Sequence, residues 1–324
     1  MRSLALLLSS LSLTSALAAQ PSSGLPDSLH FADGNCVSFG VVQVRPEDTA
    51  FQAAFQAVAR ELETRQLDSA SWIGILSSLL SQNQRAALFS GLLPAQGIRV
   101  DYLDAQGGLH SATVVTCTGW KGFQALLWGR LMMDKSGQPW PVEKVGRNEV
   151  VLRKDGTVAR INGSFYAFSD KEIARTTLER KPAPAPKDFA ELDKTHDTYG
   201  LLFNRQNSLA RFLRWVDRHD YAAVQKAFGE ARFSEANQAV DSVRWTGELL
   251  DDDRVSLEIR VRLKESGKAE LVDEFLSVAR QILKERGRPA RVESCIVDDE
   301  VLINAEIAGN RSFFLNYFTS SKPV

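Results

Sequence analysis

The densest group of ionisable side chains in this chain lies at positions 193–197, with the sequence Asp-Lys-Thr-His-Asp. A histidine beside carboxylates can act as the general base of a nucleophilic serine, as in a catalytic triad. No Gly-x-Ser-x-Gly motif is present to place a serine in the sharp strand-to-helix turn of many hydrolases. We therefore expect a solvated loop here, and a hydrolase centred on His196 stays as an alternative.

The histidines and the acidic runs match no metal-binding motif. The four histidines are far apart and lack the spacing that places two ligands on one helix face; they are His30, His110, His196 and His219. The runs Asp251–Asp253 and Asp298–Glu300 offer oxygen atoms but lack the alternating ligand spacing of a calcium loop, so we expect polar hairpin turns there. No glycine-rich phosphate loop precedes a helix. The sequence thus predicts neither a metal nor a cofactor.

Composition limits the class of protein. The chain has 324 residues, 44% of them hydrophobic, and a formal net charge of -1. This balance is typical of a globular protein with one large or two medium domains. A nucleic-acid partner is not expected, because phosphate contacts need clustered basic residues.

The N-terminus has the pattern of a secretory signal peptide. Arg2 precedes an apolar stretch from Leu4 to Leu17, and small residues follow at Ala18 and Ala19. The stretch is shorter than the roughly 20 residues that span a bilayer, and no later segment is long and apolar enough. We therefore predict a signal peptide at 1–19, no transmembrane segment in the mature chain, and a secreted or periplasmic protein.

The three cysteines would enter an oxidising compartment, where one pair can form and one thiol is left over. Cys36 precedes the first apolar strand and Cys117 ends a strand in the same half, so a Cys36–Cys117 disulfide is our preferred prediction. Three unpaired buried thiols, with Cys295 among them, are the alternative.

The spacing of apolar residues predicts an α+β protein with two similar halves. The proline-rich run at 181–188 predicts a linker, which separates a first α+β repeat at 20–180 from a second at 189–324. Each half shows a strand, helices, an amphipathic hairpin, another helix and a closing hairpin. We expect each half to be an antiparallel sheet with helices packed on one face.

The order of elements suggests a tandem duplication. The turns at Gly107 and Asp252 are 145 positions apart, and Glu149 and Glu300 are 151 apart. Together with the Phe-Tyr-Ala-Phe-Ser-Asp segment at 165–170, this pattern resembles duplicated α+β domains of predicted bacterial secreted proteins of unknown function. That resemblance implies an exported, duplicated fold and carries no catalytic residue.

Function follows only in outline from these features. We predict a non-catalytic envelope or extracellular binding protein, whose partner is a protein or a small apolar ligand. One alternative is a carrier of hydrophobic ligands, with a groove between sheet and helices. Tryptophans could line such a groove, although packing in the core is the preferred role for them; they are Trp72, Trp120, Trp128, Trp140, Trp215 and Trp245.

Overall fold

The fold is known from a computed structural model, which describes a large part of the chain. The described residues are 36–43, 45, 48–64, 96–104, 106–116, 128–129, 131–134, 136–154, 156–161, 164–179, 187–211, 218–251, 254–285 and 290–308. The predicted signal peptide at 1–19 and the prolines at 182–186 lie outside these ranges. Among the described helices, none has the length and apolar character needed to cross a membrane.

Twelve strands form one antiparallel sheet. In chain order they are β1 (Cys36–Gln43), β2 (Gln96–Leu103), β3 (Leu109–Thr116), β4 (Val142–Val145), β5 (Asn148–Arg153), β6 (Gly156–Ile161), β7 (Ser164–Phe168), β8 (Thr198–Phe203), β9 (Val240–Leu249), β10 (Arg254–Leu263), β11 (Ala290–Val297) and β12 (Glu300–Ala308).

Six α-helices and two short 3-10 turns are described alongside the sheet. The helices are α1 (Thr49–Thr64), α2 (Lys171–Glu179), α3 (Lys187–Ala190), α4 (Arg218–Phe228), α5 (Glu230–Ala239) and α6 (Ala269–Glu285), and the 3-10 turns are Arg205–Asn207 and Ser266–Lys268. The α+β class predicted from the sequence is therefore confirmed. The predicted linker ends inside α3, because Lys187 and Asp188 are helical.

The two halves share one continuous sheet and do not form two separate ones. Its strand order is β11-β12-β10-β9-β8-β1-β2-β3-β7-β6-β5-β4. The halves meet where β1 pairs with β8, with Phe39 opposite Leu201 and Gly40 opposite Gly200. Main-chain hydrogen bonds between these two strands thus join segments about 160 positions apart in sequence.

Turn chemistry explains the hairpins that position these strands. Asp104 closes the β2–β3 turn, because its Oδ1 accepts the backbone N–H groups of Gln106 and Gly108 at 2.8 and 2.6 Å. Gly107 has φ +78° in that turn, a conformation that glycine adopts without strain. At the hairpin between β5 and β6, Gly156 has φ +142°.

An aspartate caps the start of α2. Asp170 Oδ1 accepts the backbone N–H of Ile173 at 2.9 Å. The neighbouring Ser169 hydroxyl donates to Asp170 Oδ2 at 2.8 Å and accepts the N–H of Ser111 at 3.1 Å. Aspartate is among the most favourable N-cap residues, so this side chain fixes where the helix begins.

Helices α2 and α3 pack on one face of the sheet in the first half and α6 packs on the opposite face in the second half; first-half residues on that opposite face, such as Val42 and Asp101, are buried too. We call front face the one that carries Phe39 and Leu201; in the first half it forms a core with Ala174 of α2 and Phe189 of α3. In the second half the core lies on the back face, where Val261 and Ile303 pack against residues of α6. The front face of β9 and β10 carries alternating polar side chains, as the wet face predicted for β10 requires.

Hairpin registers can be compared between the halves. The pair that closes the β2–β3 hairpin, Leu103–Leu109, and the pair that closes the β9–β10 hairpin, Leu249–Val255, are both separated by 6 positions. The outer hairpins also agree, because their closing pairs, Ile161–Ser164 and Val297–Glu300, are both separated by 3 positions.

The offset between Glu149 and Glu300 does not relate strands at corresponding places in the two halves. Glu149 lies in β5 and Glu300 in β12, and these strands occupy different places in the sheet order. The strand that occupies the place of β12 in the first half is β7, next to β3.

Candidate functional site

His196 lies just before β8, at the end of the sheet where β8 and β9 meet. Its Nδ1 is 2.6 Å from Oε1 of Glu248, and its Nε2 is 3.3 Å from Oδ2 of Asp193. Glu248 is near the end of β9, so the pairing of β8 with β9 brings it to the histidine from 52 positions away. Both ring nitrogens are therefore occupied by carboxylates.

Asp197, the next residue, is buried between three strands. Its side chain is 7% exposed, its Oδ2 accepts the backbone N–H of Leu249 at 2.9 Å, and its Oδ1 is 3.6 Å from Nε of Arg45. Burial raises the pKa of Asp197 to about 7, with the neighbouring Glu248 adding to the rise and the Leu249 N–H and Arg45 opposing it. This carboxyl group can thus gain or lose a proton near neutral pH.

The surroundings of His196 do not form a catalytic triad. In the described part of the chain no hydroxyl or thiol group hydrogen-bonds to His196; the nearby Thr195 hydroxyl donates to Asp193 Oδ1 at 2.6 Å instead. The described residues also contain no group of three or more His, Cys, Asp or Glu side chains suited to hold a metal ion. The histidine is better placed to bridge two carboxylates than to activate a nucleophile.

A groove lies on the front face of the second half, beside α3. Its volume is about 320 Å³, and its floor is formed by Leu201 and Phe203 of β8. Leu201 is 2% exposed, so the floor belongs to the core. This volume is at the lower end of the range for small-molecule sites.

Aromatic packing holds the floor of the groove in place. Phe189 of α3 contacts Phe203 edge to face with ring centroids 5.4 Å apart, and its ring is 5.5 Å from that of Phe39. The guanidinium carbon of Arg205 lies 5.0 Å from the centre of the Phe203 ring. A floor packed on both sides in this way is pre-formed.

Charged side chains surround this floor. The basic ones are Arg244, Arg260 and Arg262, and the acidic ones are Asp188, Asp241 and Glu300. Arg244 of β9 is the direct cross-strand partner of Arg260 of β10. Like charges directly opposite each other on a sheet are destabilising, so this pair is unfavourable for folding alone.

A second histidine cluster ties the β2–β3 hairpin to the start of α2. His110 Nδ1 is 2.6 Å from Asp170 Oδ2, and its Nε2 is 2.9 Å from Asp104 Oδ2. The hydrogen bond to Asp104 raises the pKa of His110, with Asp170 adding to the rise and partial burial opposing it. Because Asp170 also caps α2, this cluster is part of the local architecture.

The structure does not test the predicted disulfide. Cys36 is buried at the start of β1, whereas Cys117 lies outside the described residues. The Cys36–Cys117 disulfide therefore stays a prediction.

Sequence reasoning identified part of this region. The run around His196 was singled out, but its partners Glu248 and Arg45 were not, because strand pairing rather than sequence spacing brings them together. The Arg244–Arg260 pair was also missed, although a hairpin centred on Asp252 implies that these two residues face each other. His30 lies outside the described residues, as does the side chain of His219.

Comparison of the chain with protein-family models, with curated proteins and with solved structures finds no match.

Proposed function

We propose that this chain is an exported, non-catalytic binding protein that holds a small molecule in the groove beside α3. The observation that carries the proposal is the combination of a pre-formed apolar floor, Leu201 and Phe203, with charged groups around it. Small-molecule sites combine apolar walls with a few well-placed polar groups in this way.

The carrier of hydrophobic ligands, predicted as an alternative, agrees with this groove in position but not in chemistry. The groove does lie between the sheet and a helix, as that alternative requires. Six charged side chains around it would each lose hydration against a wholly apolar ligand, at a free-energy cost. An amphipathic small molecule therefore fits better than a neutral lipid.

The hydrolase alternative has less support. His196 contacts Glu248 and Asp193 through its two nitrogens, and a general base needs one nitrogen available to its nucleophile. We expect the His196→Ala variant to keep any binding activity of the groove.

Co-purification tests the binding proposal. The protein is purified under native conditions, denatured, and the released small molecules are identified by mass spectrometry. Ser242 lines the groove, so Ser242→Trp should fill it and remove the bound molecule. Asn304→Trp is the control, because Asn304 is exposed on the front face of β12 and does not line the groove. Retention of the same molecule by Ser242→Trp would contradict the proposal.

We also propose that the two halves arose by duplication, in agreement with the resemblance to duplicated secreted domains. The equal separations of 6 and of 3 positions between the closing pairs of corresponding hairpins support this proposal.

Export and the Cys36–Cys117 disulfide are proposals that one measurement addresses. The intact mass of the protein recovered from the host envelope should correspond to a chain without residues 1–18 or 1–19. A further decrease of about 2 Da relative to the reduced protein would mark one disulfide. Retention of Met1 would remove the argument for export.

A further inference from the structure

We infer that the groove binds a small carboxylate with an apolar body, and that Arg244 and Arg260 together hold its carboxylate. This inference rests on the proposed binding function and names the class of its ligand. It depends on three observations: the register of the arginine pair, the partners of each guanidinium group, and the position of the pair relative to the apolar floor.

The register places two guanidinium groups side by side. Arg244 and Arg260 are cross-strand partners, with Cβ atoms about 5 Å apart by the geometry of an antiparallel pair. Arg262 follows two positions along β10 on the same face, diagonal to Arg244. Two parallel forks of N–H donors match the oxygen atoms of a carboxylate, which would also remove the repulsion between the two cations.

The two arginines differ in their partners: Arg244 has none among the described residues, whereas Arg260 is engaged by Glu258 and would have to share its donors with a ligand. Arg260 contacts Glu258 of its own strand, with Nε 2.8 Å from Oε1. Arg244 forms no hydrogen bond or ion pair with any described residue, although it lies between core strands and is half-buried. The N–H donors of Arg244 are therefore available to a ligand that carries acceptor oxygen atoms.

The floor of the groove determines where the apolar part of the ligand lies. Leu201 is the cross-strand partner of Arg244, and Phe203 is the partner of Ser242 on the same face. A carboxylate on Arg244 therefore leaves the rest of the molecule over Phe203, because Leu201 is only 2% exposed. A phenyl group has a suitable size for a groove of about 320 Å³.

The acidic side chains limit the charge of the ligand. Glu300 is the cross-strand partner of Arg262 and offsets its charge, while Asp188 and Asp241 lie at other points of the lining. A ligand with several negative charges would be repelled by these carboxylates. A monoanion gains from the arginine pair without that cost.

Isothermal titration calorimetry with three matched probes tests the inference. The probes are phenylacetate, its neutral analogue phenylacetamide, and the cation phenylethylammonium. We expect phenylacetate to bind at least about tenfold more tightly than the other two, because its charge-assisted hydrogen bonds are lost in the analogues. Its affinity should also decrease at high salt.

Arg244→Gln and Arg260→Gln should each lower the affinity for phenylacetate by at least about tenfold. Arg291→Gln is the matched control, because Arg291 is an exposed arginine on the same face of β11 that does not line the groove. Arg244→Gln should melt no lower than the wild type, since it removes the repulsive cross-strand pair and no described ion pair; a lower melting temperature would contradict the assigned repulsion.

The possible outcomes separate the inference from the proposed function. Equal binding of phenylacetate and phenylacetamide, tighter binding of phenylethylammonium, or unchanged affinity in Arg244→Gln would overturn the carboxylate site. In those cases a small molecule that co-purifies with the wild type and is lost in Ser242→Trp would still support a binding protein. Absence of both probe binding and any co-purified molecule would overturn the inference and the function together.

Discussion

At the scale of single residues, Asp197 is the group whose ionisation bears most directly on stability. Burial raises its pKa to about 7 in the folded protein, whereas an unfolded chain has an aspartate pKa of about 3.9. A raised pKa means that the contribution to stability is full below about pH 4 and is lost as pH rises towards 7. The folded state should therefore lose stability between those two values because this carboxyl must ionise in a buried site.

Asp197→Asn should reduce the change in the free energy of unfolding over that pH range. The amide keeps an oxygen atom that can accept the Leu249 N–H but cannot ionise, so we expect the variant to be more stable than the wild type at pH 8 by about 2 kcal/mol. Urea unfolding at pH 5 and pH 8 measures the difference. Asp193→Asn, at an exposed carboxylate in the same loop, should leave the slope unchanged. An Asp197→Asn profile as steep as that of the wild type would refute the assignment.

Neighbouring carboxylates raise the pKa of His110, and its contribution to stability changes over a different pH range from that of Asp197. Its pKa is raised by the hydrogen bond to Asp104, so its contribution is full below about pH 6.5 and is lost as pH rises through the folded-state value. The pKa of Asp104 is lowered, chiefly by the same hydrogen bond. Burial raises the pKa of Asp170, but hydrogen bonds from Ile173, Ser169 and His110 outweigh burial, so its pKa is lowered. The two carboxylates therefore contribute only above their own folded-state values.

We expect His110→Gln to lower the melting temperature more at pH 6 than at pH 9, because the stabilisation that comes with the raised pKa is lost as pH rises. Differential scanning calorimetry at both values measures this. Replacement of the exposed Lys194 by Gln, in the loop before β8, should have equal and small effects at both pH values. A penalty for His110→Gln that does not depend on pH would show that the histidine acts through packing alone.

What the sequence could predict at this scale depends on how far apart the contacting residues are. Arg244 and Arg260 flank one hairpin, so the position of the turn fixes their pairing. His196 and Glu248 belong to different strands, and their contact depends on β8 pairing with β9 in one register among several. No local pattern specifies that register.

At the scale of elements, the predicted hairpins match the structure because their turn residues are distinctive. The helix α5 was not predicted, since its sequence has no clear apolar period: its buried side chains are Phe233, Ala236, Asn237 and Ala239. Packing between α4 and α6 stabilises this helix, and a pattern search within the segment cannot detect that. The four-residue strand β4 was missed because it follows Pro141 in a breaker segment.

Phe275 shows how much of α6 stability comes from packing on neighbouring helices. It is half-buried, with ring centroids 5.7 Å from Phe228 and 5.5 Å from Phe233. We expect Phe275→Ala to lower the free energy of unfolding by about 2 to 3 kcal/mol, less than for a fully buried phenylalanine. Denaturant unfolding measures the loss. Gln281→Ala, on an exposed part of the same helix, should change it by less than about 0.5 kcal/mol. Equal effects of the two variants would contradict the packing of α4, α5 and α6.

Gly200 marks a close approach within the central strand pair. A methyl group added there would lie 2.5 Å from the carbonyl oxygen of Phe39 and would clash with the indole of Trp245. Gly200→Ala should therefore cost about 2 kcal/mol or more, because neither the backbone nor the buried ring can move freely. Gly267→Ala is the control, since nothing lies within 4 Å of an added methyl group there. Thermal melts of the two variants that coincide would exclude this close approach.

At the scale of the whole molecule, the halves are joined by more than the proline-rich segment between them. Phe189 of α3 belongs to the core of the first half, and β8 pairs directly with β1. A protease site inserted between Pro184 and Ala185 should therefore yield two fragments that stay together. We expect them to co-elute in gel filtration at the volume of the uncut protein and to separate in denaturant. Separation without denaturant would show that the covalent link, and not the shared sheet, holds the halves together.

The β1–β8 pairing also fixes an order of events during synthesis. When β1 leaves the ribosome, the strand that pairs with its second edge is still about 160 residues from being made. Until then β1 presents unsatisfied N–H and C=O groups along one edge, as aggregation-prone intermediates do. The pairing of β1 with β8 joins residues that are far apart in the sequence, and contacts of this kind slow folding. We expect the first half expressed alone, residues 20–180, to self-associate, because another copy of the same edge is then the nearest available partner.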